Sequence, residues 1–304
     1  MKQKTKSTLT ITALLVTLGF SPQAFGVVYF RADFNDSTAI TEETGLVANA
    51  TIANLNAGTQ VGAWAFTGAA DASIPRGAIV SNPSNTDNAF VFDQGISGGD
   101  DRRAAGLFAS TVDIASGDFL RFEFDIFATR QGAPDNGRQV RLALTNSTGL
   151  AGGGRAYVLI FNQSAGGDSK EFRWLDVDNN QVSISSQADV GFLNAAVDNY
   201  QTWDWADGGG NSTRVRIDVL GQTTVAASGG ALVSIDWNGD GTWDTFNSPI
   251  GGRDAGVTSI DRFELFYSGT NAKGAFIDNI IAVPEPSVAL LGAFGLLGLL
   301  RRRR

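Results

Sequence analysis

The chain has no cysteine and no histidine among its 304 residues, and only one methionine. These absences remove whole classes of chemistry. A Ser–His–Asp triad, a cysteine nucleophile, a zinc site built on imidazole or thiolate, and a covalently attached c-type haem are all excluded. Disulfides are excluded too, so the fold rests on its core. An oxidising compartment permits such bonds without demanding them. Charge is sparse, at 18% of residues.

The residues that are abundant suit strands. Glycine (37) and phenylalanine (20) stand out, and 43% of the chain is apolar. Aromatic and β-branched side chains pack on pleated surfaces while glycine supplies turn conformations. The apolar content is enough for a core and argues against disorder. All-β sandwiches often run to about 250 residues as single domains, so the length requires only one.

Basic residues gather at the two ends. Lys2, Lys4 and Lys6 open the chain, and Arg301, Arg302, Arg303 and Arg304 close it. Setting these seven aside leaves 16 of the 23 basic residues against 31 acidic ones, a net of −15. Such a surface repels phosphate backbones, which argues against a nucleic-acid partner. Cations, sugars or other proteins fit better.

Residues 1–26 read as a secretory signal. Three lysines precede an apolar stretch from Leu9 to Phe20, and Ala24-Phe25-Gly26 provides a small-x-small exit. Cleavage is expected after Gly26, following passage through a Sec-type export machinery. The other reading is an uncleaved anchor. Twelve residues rise only about 18 Å as a helix, short of a bilayer's roughly 30 Å, which favours cleavage.

The C-terminal 284–304 segment has three parts. Val283 leads into Pro284-Glu285-Pro286-Ser287, an uncharged apolar stretch runs from Val288 to Leu300, and four arginines end the chain. The prolines cannot continue a strand and give an extended linker open to an enzyme. Terminal arginines hold the end of a hydrophobic helix on the cytoplasmic side of a membrane. Thirteen apolar residues are also the length of a buried helix, but the adjoining arginines oppose burial inside a domain.

This tail resembles the PEP-CTERM sorting signal of Gram-negative, exopolysaccharide-producing bacteria, with all three elements in that family's order. The resemblance implies an exosortase, a membrane cysteine protease, as partner. It implies cleavage near Pro284, Glu285 and Pro286 after transient anchoring in the inner membrane. It further implies a final place at the cell surface or in the extracellular matrix.

Residues 27–283 alternate with period two. Leu120, Phe122, Phe124 and Ile126 share one face of their segment, and Arg121, Glu123 and Asp125 the other. Val140, Leu142 and Leu144 alternate likewise, as do Val215, Ile217 and Val219, and Val233, Ile235 and Trp237. This pattern predicts antiparallel strands with one buried and one wet face. Glycine clusters at Ser97–Asp100, Gly152–Gly154 and Gly208–Gly210 punctuate them. No amphipathic helix stands out, apart from a single turn over Gly191–Val197.

The expected fold is therefore all-β, an antiparallel sandwich over 27–283, preceded by the signal peptide and followed by the apolar helix. The last strand, Gly274 to Val283, is apolar on both faces except at Asp278 and Asn279. It belongs inside a sheet, beside the first strand Val27–Phe34, as in a jelly roll. The segments Phe263–Tyr267 and Ala275–Ile280, with Phe30 to Phe34, resemble the closing and opening strands of concanavalin-like (laminin-G-like) domains. That resemblance bears on fold alone.

Three constellations carry candidate chemistry. In Asp236-Trp237-Asn238-Gly239-Asp240-Gly241-Thr242-Trp243-Asp244, the residues Asp236, Asn238, Asp240 and Asp244 match the opening of a calcium loop, and Ca²⁺ is the candidate cofactor. Position twelve is Asn247 rather than the bidentate Glu, and strands flank the loop. The other reading is an acidic hairpin tip, where Asn-Gly and Asp-Gly are good turn formers. Tyr200, Trp203 and Trp205, with Asp204 and Asp207, suit a sugar-binding patch or ordinary core packing.

Finally, Glu123-Phe124-Asp125-Ile126-Phe127-Ala128 resembles the E-x-D-x-x-E motif of jelly-roll glucanases, but Ala128 stands where the second catalytic Glu belongs. Glycoside hydrolysis needs two carboxylates about 5 to 9.5 Å apart. Two functions follow: a noncatalytic surface protein binding exopolysaccharide or another surface component, which the missing Glu favours, or a carboxylate-dependent glycoside hydrolase.

Overall fold

A computed structural model describes residues 28–34, 61–67, 77–81, 88–92, 103–127, 139–146, 154–163, 170–176, 178, 180–186, 213–221, 230–237, 240–246, 251–252, 254, 256–268 and 275–284. The signal segment 1–26, Glu285 and the rest of the tail, Tyr200, Trp203, Trp205, Asn238 and the single turn expected over Gly191–Val197 lie outside the described residues.

Alternating apolar positions place the hydrophobic side of β6 (Leu120–Phe127), β11 (Thr213–Val219) and β12 (Ala231–Asp236) inward. In β6, Leu120, Phe122, Phe124 and Ile126 are buried while Arg121, Glu123 and Asp125 are half-buried. The same holds for Val215, Ile217 and Val219 in β11, and for Val233 and Ile235 in β12. The remaining strands are β1 (Phe30–Ala32), β2 (Ala63–Thr67), β3 (Gly77–Ser81), β4 (Asn88–Phe92), β5 (Arg103–Asp113), β7 (Gln139–Thr145), β8 (Arg155–Gln163), β9 (Lys170–Leu175), β10 (Gln181–Ser186), β13 (Thr245–Phe246), β14 (Ser259–Ser268) and β15 (Ala275–Val283). One 3₁₀ turn at Ile114–Ser116 is capped by the Asp113 carboxylate, which accepts from the amides of Ala115 and Ser116.

These strands form two antiparallel sheets facing one another. The first runs β13-β12-β11-β6-β15-β4-β3, with β1 also on β15; the second runs β10-β9-β8-β7-β14-β5-β2. The last strand is interior, as its two apolar faces required. β6 lies along one side of β15, while β4 pairs with Ala275–Ile277 and β1 with Ile280–Ala282 on the other. The first strand does lie beside the last, with Phe30 opposite Ala282.

The period of two breaks once in β15. A register shift falls between Asp278 and Ile281, and Asn279 takes the left-handed conformation (φ 49°). This bulge lets Ile277 and Ile280 both point into the core although they are three positions apart, an odd spacing that a regular strand would place on opposite faces. Asparagine tolerates that conformation better than most residues, which suits it to the position.

Phe263 of β14 is the meeting point between the sheets. Its ring contacts Phe30 at 5.0 Å and Phe122 at 5.1 Å from the first sheet, and Trp64 at 5.4 Å from its own. Gly106 of β5 lies directly beneath it, so any Cβ there would collide with the Phe263 ring. Gly106→Ala should cost roughly 1–3 kcal/mol by overpacking, read from urea unfolding. Phe263→Leu should cost less in the Gly106→Ala background than alone. Strict additivity in that double-mutant cycle would show that the ring does not press on Gly106.

Candidate functional site

The outer face of the first sheet carries the polar half of the alternation. Antiparallel pairing puts Glu123 opposite Arg216, Asp125 opposite Arg214, and Arg214 opposite Asp236, so acids and arginines meet across β6, β11 and β12. Arg214 Nη2 donates to Glu123 Oε2 at 2.6 Å, and Arg121 Nε lies 3.9 Å from the other Glu123 oxygen. Arg121 Nε donates to Asp218 Oδ1 at 2.7 Å, and Arg216 Nε lies 3.2 Å from Asp218 Oδ2. Five charges thus form one chain: Arg214, Glu123, Arg121, Asp218, Arg216. Arg216 also donates to Ser234 Oγ at 3.3 Å.

Trp243 lies against this ladder. The Arg216 guanidinium sits 4.4 Å from its ring centroid and that of Arg214 5.9 Å. Trp237, six residues earlier, does the opposite: it is buried and packs on Phe172 of the second sheet at 5.2 Å. Alternation along β12 predicted Trp237 inside. The outward place of Trp243 follows only from the hairpin that folds it back.

Asp125 sits at the end of the ladder. Burial pushes its carboxyl up from the ordinary value. A hydrogen bond from Asn279 Nδ2 (2.9 Å) and the Arg214 charge oppose this, while Asp236 and Glu123 add to it. The bulge in β15 is what presents Asn279 to this carboxylate.

The hairpin between β12 and β13 holds the calcium-loop residues. Asp236 is buried, Asp240 exposed and Asp244 half-buried. Each accepts from a backbone amide of the loop: Asp236 Oδ2 from Gly241 (2.8 Å), Asp240 Oδ1 from Thr242 (2.7 Å), and Asp244 Oδ2 from Trp237 (2.7 Å). Gly241 has φ 88°, the conformation its position requires. Among the described residues no three His, Cys, Asp or Glu side chains converge to hold a metal ion. The partners of these carboxylates include the amides of the turn.

Two further glutamates fall among the described residues, Glu171 and Glu264. Glu171 is bound to Arg173 at 2.7 Å, and Glu264 is buried on the outer side of the second sheet. The Arg214–Glu123 pairing was not readable from the sequence because it depends on strand order. The only signal was the matched alternation of Arg214 and Arg216 with Glu123 and Asp125.

Burial, and then the charges of Asp236 and Asp240, raise the Asp244 carboxyl from its ordinary value, against the Trp237 amide. A raised folded value means that protonation favours the fold, so the penalty grows as pH rises through that value. Asp244→Asn keeps an acceptor without the charge, and should raise Tm by roughly 1–2 °C at pH 7, with the gain vanishing below about pH 3.5. Asp244→Ala should lose about 1 kcal/mol through the orphaned Trp237 amide. A Tm that rises with millimolar calcium in the parent chain but not in Asp244→Asn would instead make this loop a cation site.

No family model matches the sequence, and no curated protein matches it. Solved structures with similar architecture include lectin II from Ulex europaeus (13% identity, 84% of this chain and 97% of that one, TM-score 0.41). Others are an alginate lyase from Pseudomonas aeruginosa (10% identity, 68% and 86%, TM-score 0.37) and a sialidase (10% identity, 69% and 17%, TM-score 0.36). The chain therefore spans about a sixth of the sialidase's length. Likeness this distant says nothing about ligand or activity.

Proposed function

We propose that this chain is an exported, noncatalytic protein of a Gram-negative cell surface or extracellular matrix. In this reading the signal at 1–26 is removed and the tail at 284–304 engages the inner membrane transiently. An exosortase-type protease then acts near Pro284-Glu285-Pro286. The sandwich, of jelly-roll, concanavalin-like type, binds polysaccharide through the outer face of the first sheet. Two features support the sorting half. The order of the three tail elements is one, and the abrupt end of β15 at Val283, directly before Pro284, is the other.

The observation that carries binding over hydrolysis is the state of Glu123. Its carboxylate is gripped by Arg214 at 2.6 Å, and Ala128 replaces the second acid of the glucanase pattern. A glutamate so held by two arginines is poorly placed to shuttle protons. What the face offers instead is alternating donors and acceptors beside an indole. Sugar hydroxyls both donate and accept, and sugar rings stack on aromatic faces. Tyr200, Trp203 and Trp205 are a second aromatic group suited to the same task.

One observation favours the hydrolase reading: Asp125, a carboxyl with a raised pKa, shares a strand face with Glu123.

Two measurements test these readings. The intact mass of the native secreted form should match a chain from Val27 to near Pro286; a full-length mass would remove both processing steps. On a glycan array the domain should bind without releasing reducing ends, and Trp243→Ala should weaken binding roughly 3- to 10-fold. Reducing-end release that disappears in Glu123→Gln would establish the hydrolase instead.

A further inference from the structure

Both chain ends leave the sandwich at one pole. Val283 pairs with Arg121 and Phe30 with Ala282, while the Tyr29 amide donates to the Ala282 carbonyl at 2.8 Å. The beginning of β1, the end of β15 and the beginning of β6 therefore lie together. Phe119, which immediately precedes β6, is 42% exposed there. The opposite pole carries the end of β6, where Ile126 pairs with Thr213. It also carries the β12–β13 hairpin with exposed Asp240, Gly241 and Thr242.

The tether to the apolar stretch is short. Four residues, Pro284 to Ser287, separate β15 from Val288, and four extended residues reach at most about 14 Å. β6 alone spans roughly 25 Å from pole to pole at 3.3 Å per residue. A tether shorter than the domain leaves little freedom of orientation.

We infer that, while the apolar tail is inserted, the sandwich stands on the lipid surface by the pole that holds Phe119, Val28 and Pro284. The hairpin bearing Trp243 then points away from the bilayer. The partner of the Phe119 pole is the headgroup region itself. An exposed apolar ring such as Phe119 gains there by burying its area at the boundary between headgroups and acyl chains. The described charged groups near this pole include Arg31, Arg121 and Arg262 with Asp33, Asp113, Asp118, Asp218 and Asp261; they are of mixed sign and make no basic patch, so the contact does not require anionic lipid.

This inference rests on the tail reading, and one experiment separates the two. The absence of cysteine makes single-cysteine labelling unambiguous. Full-length Phe119→Cys and Thr242→Cys, each carrying an environment-sensitive fluorophore, are reconstituted in phosphatidylcholine vesicles containing a quencher-bearing lipid. The label at 119 should lose at least half its fluorescence, and the label at 242 should be unaffected. Equal quenching at both positions, or stronger quenching at 242, overturns the orientation alone. Failure of the chain to float with vesicles overturns the tail reading and the orientation with it.

Discussion

The sandwich depends on an aromatic contact across its two sheets. Phe263 projects from the second sheet into a nest formed by Phe30, Phe122 and Trp64, with ring separations of 5.0–5.4 Å. Edge-to-face pairs contribute beyond the area they bury, and here two, from Phe30 and Trp64, meet on one ring beside the tilted Phe122. The contact also joins distant parts of the sequence, since Phe30 opens the first strand and Phe263 lies in the penultimate one. Gly106, the cross-strand partner of Phe263 in the same sheet, has no Cβ and so leaves room for the ring to lie over it. With the inner faces fixed in this way, the polar faces have no choice but to point outward.

That outward face is where sequence reading was strong in one dimension and blind in the next. Alternation assigned Phe122, Phe124, Val215, Ile217, Val233, Ile235 and Trp237 to the interior, because the side-chain period of a strand is two and register follows from it. The doubly apolar final segment was recognisable as interior to a sheet for the same reason. Pairing between strands far apart in sequence left no such trace. That Arg214 grips Glu123, 91 residues away, depends on β11 lying beside β6. The role of Asn279 was equally hidden, since it requires a bulge whose existence alternation contradicts. Trp243 was invisible for a third reason: a hairpin turned it back over residues it does not neighbour along the chain.

The hairpin itself illustrates how one motif serves two chemistries. Alternating aspartates followed by glycine are the start of a calcium loop, but the same carboxylates are good acceptors for amides left unpaired in a tight turn. Here Gly241, Thr242 and Trp237 provide those amides. The arrangement carries an electrostatic cost, because Asp236 and Asp240 both raise the carboxyl of Asp244. Hydrogen bonds to charged acceptors contribute about 1.5–3 kcal/mol each, enough to hold such a turn against repulsion at close range.

Under the proposed polysaccharide-binding reading, the charge ladder narrows the kind of sugar that this face would suit. Arg121, Arg214 and Arg216 are each matched to Glu123 or Asp218, and Asp125 and Asp236 add further negative charge beside them. An anionic glycan would have to displace those internal carboxylates and would meet a domain whose overall balance is already acidic. A neutral glycan meets neither obstacle. Its hydroxyls can donate to the carboxylates and accept from the guanidinium groups without breaking the pairs, and its ring can lie on the indole. In the proposed binding reading, the paired state of the arginines therefore favours uncharged sugars over anionic ones.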